Sequence, residues 1–410
     1  MKRLFIILLA MLALGGALQA QNKPRYIYIA GQNGDKVEYG NCFTKNIATV
    51  NGYLHNICLD NSGNVYVLVC DQPSGWGNYY IYKNSNTQEP YMSFVWNAAE
   101  GIYSSMVMRV KDNHVVVAGV QSLGFNNKGY QSRMFGYVDK VLVFRSGYDR
   151  KSLKYDNFVG YQKFSGKKLI GYGEENNSGN PQGDHLSCVY HVDGVDYYDG
   201  DIYISGWGER EYSETVGGTK YYLVHRCPRV WKNGTQIIEQ YNNKTGAAWS
   251  VNVRKGIIGV PEVLTSGHKG SVSYSWYDDK EVLCGTDNYM ATKAAGYPGF
   301  IKEEFFNTSI HSHCRVYLSK GIDGISRMEG RFMTTRTAES AFSAQAEDFS
   351  ISGSSVYYLG KTPADLKVFR FCGLQQRQDN NTYEFTKQEL VVAVPDRFHN
   401  YNNLKIAVAE

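Results

Sequence analysis

The amino-acid sequence predicts an all-β fold, and specifically a β-propeller of four-stranded blades, on two observations. The chain of 410 residues contains 42 glycines and 33 tyrosines, a balance that is typical of many short strands joined by tight turns. A strand–loop–strand unit also recurs along the chain, and its clearest copy spans 200–234. Mostly-β repeats of roughly 40 to 90 residues are typical of propellers, in which every blade is one sheet.

The first strand of the repeated unit is short and apolar, and most of its copies end in glycine. These copies are 27–31, 65–69, 115–119, 202–206, 281–285 and 356–360. The second strand is more variable, and its copies are 81–85, 143–147, 230–234, 316–321 and 368–370. Polar turns typical of hairpins precede several first strands, at 60–63, 111–113, 199–201 and 278–280. In the clearest copy, Asn233-Gly234 is expected to form a turn with positive φ.

The two repeated strands are assigned as strands B and C of a blade that runs A, B, C, D. The segment 47–52 is taken as the strand C that follows 27–31. One sheet cannot bury both of its faces alone, so blades pack in a ring, and Tyr203 and Trp231 are expected in the core between blades. Six copies of strand B favour six blades, with seven as the alternative. The segment 404–408 is expected to close the ring beside the N-terminal strand. A two-sheet sandwich is the structural rival, but it does not account for the repeat.

Residues 1–20 are predicted to be a signal peptide, followed by a single propeller domain over 21–410. Lys2 and Arg3 precede an apolar run at 4–14, and 17–20 is a small-residue site suited to signal peptidase. No later stretch approaches the roughly 18 apolar residues that a spanning helix needs. We therefore expect a secreted or periplasmic protein, free or associated with the cell surface, without a membrane span.

The charge balance of the mature chain argues against a nucleic-acid partner. Of 43 Lys and Arg residues against 39 Asp and Glu residues, removal of Lys2 and Arg3 leaves 41 against 39, a net of +2. A balance so close to neutral predicts no nucleic-acid partner. We expect a monomer that requires no cofactor.

The repeated strands resemble those of a group of secreted proteins from Bacteroidetes-type bacteria. In that group a V-Y-V-A-G-like strand is followed by a V-W-K-N-G-like strand, and the proteins are taken to be β-propellers. Residues 230–234 match the second motif in full, and 27–31, 115–119 and 202–206 match the first closely. The resemblance implies a propeller and an exported protein, but no particular chemistry.

Strand order predicts which loops share a face. In an up-and-down blade the A–B turns lie on one rim, while the B–C loops and the connections into strand A lie on the other, here named the B–C rim. The predicted B–C loops are long and unequal: 70–79, 120–140, 207–228 and 286–313. Variable loops on a rigid scaffold commonly carry binding sites. The candidate ligand-binding residues on this rim are Trp76, Trp207, His311, His313 and Arg315, and the candidate catalytic residues are His185, Tyr190, His191, His225 and Arg226.

Each candidate also has a structural explanation. His311 and His313 would share one strand face, as metal ligands sometimes do, but no third ligand is identifiable, so we expect no metal site. His185 and His191 would share a face of one regular strand, either as acid–base groups or as a polar cluster in the central channel. Trp76 and Trp207, each in a Ser-Gly-Trp-Gly loop, would either stack on a sugar ring or fold back over a blade.

The eight cysteines contain no C-x-x-C pair, which argues against a zinc ribbon or a thioredoxin-like site. Most lie within or beside apolar strands and are expected to be buried thiols. Cys284 and Cys314 are the exception, because a hairpin would bring them together as a possible disulfide.

The leading function is ligand binding, of a glycan or a surface protein, on the B–C rim. The sequence lacks the Gly-x-Ser-x-Gly elbow, H-E-x-x-H and the P-loop. The alternative is a polysaccharide lyase or a glycoside hydrolase that uses His, Tyr and Arg residues of the same face. A further alternative is a protein-docking scaffold of the cell envelope.

Overall fold

The structure, a computed structural model, describes most of the chain from residue 24 onward. The described residues are 24–44, 46–97, 101–126, 129–145, 147–149, 154–156, 162–163, 169–170, 185–186, 190–216, 219–239, 246–255, 260–269, 272–277, 280–283, 289–295, 300–305, 314–320, 327–333, 345–352, 355–361, 365–376 and 383–409.

Within these residues, seven sheets of four or more strands form the blades of a propeller, confirming the predicted fold class. Blade I contains β1 (Tyr26–Asn33), β2 (Lys36–Asn41), β3 (Ile47–Asn51) and the C-terminal strand β33 (Asn402–Ala409). Blade II contains β4 (Tyr53–Leu59), β5 (Val65–Cys70), β6 (Tyr79–Lys83) and β7 (Met92–Phe94). Blade III contains β8 (Ile102–Lys111), β9 (His114–Asn126), β10 (Gly129–Val138) and β11 (Val141–Arg145).

Short strands precede the fourth blade: β12 (Gly147–Asp149), β13 (Lys154–Asp156), β14 (Gln162–Lys163), β15 (Leu169–Ile170) and β16 (His185–Leu186). Blade IV contains β17 (Tyr190–Tyr198), β18 (Asp201–Val216), β19 (Thr219–Lys232) and β20 (Thr235–Glu239), and β15 pairs with β19 in parallel.

Blade V contains β21 (Gly246–Lys255), β22 (Pro261–Lys269), β23 (Val272–Tyr277) and β24 (Lys280–Leu283). Blade VI contains β25 (Tyr289–Ala295), β26 (Phe300–Phe305), β27 (Cys314–Lys320) and β28 (Arg327–Met333). Blade VII contains β29 (Gln345–Ser352), β30 (Ser355–Lys361), β31 (Leu366–Gln376) and β32 (Tyr383–Ala393), and a 3-10 helix (Asp396–Asn400) leads from β32 into β33.

The innermost strand of each blade is its strand A, which is β33 in blade I and the first strand in chain order in the other blades. Successive A strands contact each other from β33 through β4, β8, β17 and β21 to β25, and β29 contacts β33. The chain closes this ring where β33 pairs antiparallel with β1, with Ile406 opposite Ile29. The predicted closure by the last strand is thus confirmed, and the ring rules out the two-sheet sandwich.

The blade count is seven within the described residues, the predicted alternative, rather than the favoured six. The assignment of 281–285 as a strand B is wrong, because β24 is the outermost strand of blade V. The true B strands of blades V and VI, β22 and β26, do not resemble the repeated apolar strand, so the repeat pattern merges two blades into one unit. The same merging misplaces the turn at 278–280, which lies between β23 and β24. Two segments taken as strand C are strand D. In blade I, 47–52 corresponds to β3, because β2 precedes it, and in blade III, 143–147 begins in β11, because β10 precedes it.

Three of the four predicted B–C loops contain strands. The ranges 120–140 and 207–228 form long hairpins, β9–β10 and β18–β19. In both, the antiparallel pairing extends beyond the apolar strand into polar residues. The range 286–313 contains β25 and β26 of blade VI. Only the 70–79 segment, between β5 and β6, is the predicted loop. Strand pairing therefore continues in these hairpins after the apolar residues end.

The core lies between blades, as predicted. Trp231 of β19 is 1% exposed and packs with Val116 and Ala118 of blade III. Tyr203 of β18 is 2% exposed and packs on the other side, with Val251 of blade V. Blade IV thus buries both faces against its neighbours. The predicted turn after Trp231 is confirmed, since φ is 47° at Asn233 and 81° at Gly234.

A register shift recurs near the start of the A strands and positions the channel side chains. It inserts one extra residue into strand A, and the inserted residues are His55 in β4, Ser104 in β8, Asp193 in β17, Trp249 in β21, Thr292 in β25 and Glu347 in β29. A similar irregularity in β33 lies opposite Gly31. Such β-bulges bend a strand and redirect its side chains. The A strands therefore bulge at equivalent positions, near the B–C rim.

The glycine of the repeated strand accommodates this bulge. A Cβ on Gly206 of β18 would lie 1.9 Å from the carbonyl oxygen of His191, and a Cβ on Gly267 of β22 would lie 1.9 Å from that of Ala247. No side chain fits at such a distance. The apolar-strand-then-glycine pattern in the sequence thus marks where strand A bulges toward the channel.

Candidate functional site

The central channel contains a cavity of about 450 Å³ beneath the B–C rim. Six A strands contribute to its wall within the described residues, namely β4, β8, β17, β21, β29 and β33. The titratable side chains that line it include His55, Arg109, Asp193, Asp348 and Lys405. The channel is therefore a polar cavity with charges of both signs, in contrast to the apolar packing between blades.

Three side chains of blade IV lie together at the mouth of this channel. The His191 ring stacks on the Trp207 indole with centroids 5.6 Å apart and planes 15° apart. The Arg226 guanidinium carbon lies 4.1 Å from the centre of the same indole, a cation–π contact. Because β18 lies between β17 and β19, the indole is contacted from the strand on each side. Burial lowers the pKa of Arg226, but its guanidinium stays charged at neutral pH.

Asp193, the bulge residue of blade IV, pairs with the first member of this group. Its Oδ1 lies 3.3 Å from His191 Nε2. Its Oδ2 is buried and accepts no hydrogen bond from the described residues. A carboxylate beside an imidazole can accept a hydrogen bond from the ring and so fix its orientation. The pair is thus a polar group with one acceptor oxygen still unused.

His55, the bulge residue of blade II, enters the channel from another direction. Its ring meets Tyr79 edge-on, with centroids 5.0 Å apart. Burial, together with the nearby charges of Lys405 and His191, lowers the pKa of His55 to about 4. His55 is consequently neutral at neutral pH, with one ring nitrogen able to donate and the other able to accept a hydrogen bond.

Blade II also presents two exposed tryptophans on the same rim. Trp76, in the loop between β5 and β6, is 41% exposed, and Trp96, in the connection that leaves β7, is 53% exposed. The Trp76 loop is fixed, because Asn78 donates to both carboxylate oxygens of Asp71 and the Tyr79 hydroxyl donates to the Gly75 carbonyl at 2.6 Å.

One residue joins the two tryptophan segments. The Asn78 side-chain oxygen accepts a hydrogen bond from the Trp96 backbone N–H at 2.6 Å. The loop also lies against the channel wall, since Gly75 is next to the ring of His55, which lines the channel. The backbone segments that carry the two exposed indoles are therefore joined by one hydrogen-bonded network next to the channel mouth.

The structure brings together three of the predicted site residues: His191, Trp207 and Arg226. Trp76 lies on the predicted rim, in the loop of blade II. The predicted regular strand that carries both His185 and His191 is wrong, because β16 pairs with β14 in a separate two-stranded sheet and β17 begins at Tyr190. His185 and His191 therefore do not lie on one face of a single strand.

The other predicted residues are placed only by their backbone or not at all. Tyr190 lies opposite Gly208, His225 opposite Arg210, and Arg315 opposite Glu303 in the sheet registers. His311 and His313 lie outside the described residues, as does Cys284. The hairpin expected to join Cys284 to Cys314 is wrong, because β25 and β26 intervene between β24 and β27. Cys42 and Cys70 are buried thiols, as expected.

Sequence reasoning missed four side chains of this region: His55, Trp96, Trp249 and Lys405. Trp249 lines the channel and contacts His268, with ring centroids 4.7 Å apart. His55 and Trp249 are bulge residues, so simple alternation assigns them to the wrong side of the strand. A glycine in the neighbouring strand B was the available signal for Trp249, while blade II has no such glycine.

No group of three or more His, Cys, Asp or Glu side chains among the described residues could hold a metal ion. No helix among them is long and apolar enough to cross a membrane.

Solved structures share a distant overall likeness with the chain, while no protein-family model and no curated protein matches it. The acylaminoacyl peptidase of Pyrococcus horikoshii is 9% identical with a TM-score of 0.40, and the match covers 89% of this chain and 50% of the peptidase, so this chain spans about half of that protein. The β-propeller domain of the trilobed protease from Pyrococcus furiosus is 9% identical with a TM-score of 0.39, covering 90% of this chain and 98% of the other. The periplasmic gluconolactonase of Pseudomonas aeruginosa is 10% identical with a TM-score of 0.32, covering 89% and 82%.

Proposed function

We propose that this protein is an exported propeller that binds a carbohydrate chain across its B–C rim. The observation that carries the proposal is the pair of exposed tryptophans, Trp76 and Trp96, on backbone segments that one hydrogen-bonded network joins beside a polar channel. Indole faces stack on the apolar faces of sugar rings, and a fixed loop lowers the entropic cost of binding. Neighbouring imidazole and carboxylate groups suit sugar hydroxyls, which both donate and accept hydrogen bonds.

Trp207 has a different role in this proposal from the one that the sequence suggested. Its indole is already in contact with His191 and Arg226, so a sugar ring would have to displace one of them to stack there. Trp207 instead orients His191 and Arg226 at the channel mouth. The stacking surface is assigned to blade II.

Substitution of either exposed tryptophan should strongly weaken retention by a glycan. Affinity electrophoresis through gels that contain neutral or acidic polysaccharides should show slower migration of the wild-type protein in at least one gel. Trp76→Ala and Trp96→Ala should each restore most of the free mobility, because stacking is worth about 1 kcal/mol or more per ring. The matched control is Leu390→Ala, which removes a 55% exposed apolar side chain from the outer strand β32.

The outcomes separate glycan binding from protein docking. Free mobility of the wild type across a broad panel of polysaccharides contradicts the proposal. Recovery of a stoichiometric partner protein in a pull-down that both tryptophan variants abolish would then assign the rim to a surface protein or an envelope complex. An equal effect of Leu390→Ala would show that the assay reports nonspecific hydrophobic adsorption to the gel.

A second candidate function is cleavage of a polysaccharide at the same mouth, and the His191–Asp193 pair favours it. An imidazole 3.3 Å from a carboxylate can take up and return a proton. Ultraviolet absorbance of unsaturated products, after incubation with uronic-acid polymers, detects a lyase, and reducing-end release detects a hydrolase. His191→Gln should abolish either product, and absence of product from the wild type removes this candidate.

A further inference from the structure

One cation of the channel wall, Lys405, forms no ion pair with the described residues. Lys405, on the closing strand β33, lines the cavity and makes no hydrogen bond or ion pair with the part of the chain that the structure describes. Arg109, the other strongly basic residue of the described wall, is paired. Its Nη1 lies 3.3 Å from Asp196 Oδ1 and donates a hydrogen bond to the Val251 carbonyl. The free positive charge in the described part of the channel is therefore that of Lys405.

The described acidic groups of the channel make their contacts with residues other than Lys405. Asp348, on the neighbouring strand β29, is 4% exposed and accepts a hydrogen bond from the Ile406 backbone N–H at 3.0 Å. Asp193, on β17, is paired with His191. Glu347, the bulge residue of β29, is placed by its backbone only. No described carboxylate therefore forms an ion pair with Lys405.

His55, on β4, faces the same space and responds to that charge. Its pKa is lowered first by burial and then by Lys405 and by His191. A neutral imidazole adds no positive charge of its own, but it can donate a hydrogen bond to a bound anion. The lysine would thus supply the charge and the histidine a directional contact.

We propose that the channel mouth recognises the anionic group of an acidic glycan, a carboxylate or a sulfate ester, with Lys405 as its counter-ion. This inference rests on the proposed function, because the sugar chain on the Trp76 and Trp96 surface would deliver the anionic group into the channel. Hydrogen bonds to a charged group are among the strongest in proteins, and a partly enclosed channel screens them less than open solvent does. An acidic sugar is therefore preferred over its neutral equivalent.

The test is titration calorimetry of the full chain at neutral pH with three glycans: polygalacturonate oligomers, sulfated dextran and neutral dextran of similar length. Lys405→Gln should weaken binding of the preferred acidic glycan about tenfold and leave the neutral glycan unchanged. Lys405→Arg should retain most of the affinity. Raising the salt concentration should weaken binding of the acidic glycan to the wild type more than to Lys405→Gln. The acidic glycan that responds identifies the anionic group as carboxylate or sulfate.

The matched control is Lys255→Gln, an exposed lysine at the other end of the inner strand β21, near the A–B rim. It should bind all three glycans as the wild type does. Equal binding of acidic glycan by wild type and Lys405→Gln overturns the inference, as does an equal loss in Lys255→Gln. If neutral and acidic glycans bind alike and depend on Trp76, the inference fails while the proposed function stands. If no glycan binds, both fail.

Discussion

Replacement of Asp196 by alanine should lower the free energy of unfolding by about 3–5 kcal/mol. This carboxylate is completely buried and joins three blades. It lies 2.9 Å from Lys111 Nζ and 3.3 Å from Arg109 Nη1, both of blade III, and accepts a hydrogen bond from the Val253 backbone N–H of blade V. Its removal leaves two cations and a buried N–H without that acceptor, which costs more than the pair itself contributes.

Urea unfolding, followed by tryptophan fluorescence, measures this change as a shift in midpoint. Asp365→Asn is the control, because Asp365 is 51% exposed in its pair with Lys367, and surface pairs contribute about 1 kcal/mol or less. Similar midpoints for the two variants would show that Asp196 does not tie the blades together.

Substitution of Gly206 by alanine should destabilise the protein by about 3 kcal/mol and disrupt the channel mouth. The new Cβ would lie 1.9 Å from the carbonyl oxygen of His191, a backbone atom that cannot rotate away. The bulge at Asp193 would have to flatten or β18 would have to move. Either change separates His191 from Trp207, so binding should fall together with stability.

Gly200→Ala distinguishes this clash from the ordinary cost of losing a glycine. Gly200, in the turn before β18, has a φ of +86°, but a Cβ added there would meet no described atom within 4 Å. Its loss should therefore cost about 1–2 kcal/mol through backbone conformation alone. Urea midpoints and glycan titration of both variants make the comparison. A Gly206→Ala protein no less stable than Gly200→Ala would contradict the role given to the bulge.

The propeller could be predicted from the sequence because most of its blades repeat the same short apolar strand, which packs between neighbouring blades. The apolar strands at 115–119 and 202–206 and the turn at Asn233 are local patterns, and each retains its meaning in the fold. The count of seven could not be obtained in that way. Blades V and VI build strand B from Pro261–Lys269 and Phe300–Phe305, whose polar residues hide the pattern.

The candidate site was predictable only in part, for a reason that lies in the A strands. Trp207 and Arg226 were placed on the correct rim because they lie next to the repeated strands. His55 is aimed by a bulge, and an inserted residue reverses the alternation on which a sequence-based prediction depends. Lys405 comes from the last strand and reaches the channel wall only through closure of the ring. Neither a bulge without a marker glycine nor a contact between chain ends has a local signature.

The central claim is that the Trp76 and Trp96 surface and the Lys405 channel mouth form one glycan site. A crystal structure of the protein soaked with the acidic oligosaccharide that binds best tests it most directly. The account predicts a sugar ring stacked on Trp76 or Trp96 and an anionic group within hydrogen-bonding distance of Lys405 Nζ, in the same bound chain. An oligosaccharide bound on the A–B rim or along the outer strands, with the channel mouth empty of sugar, would contradict it.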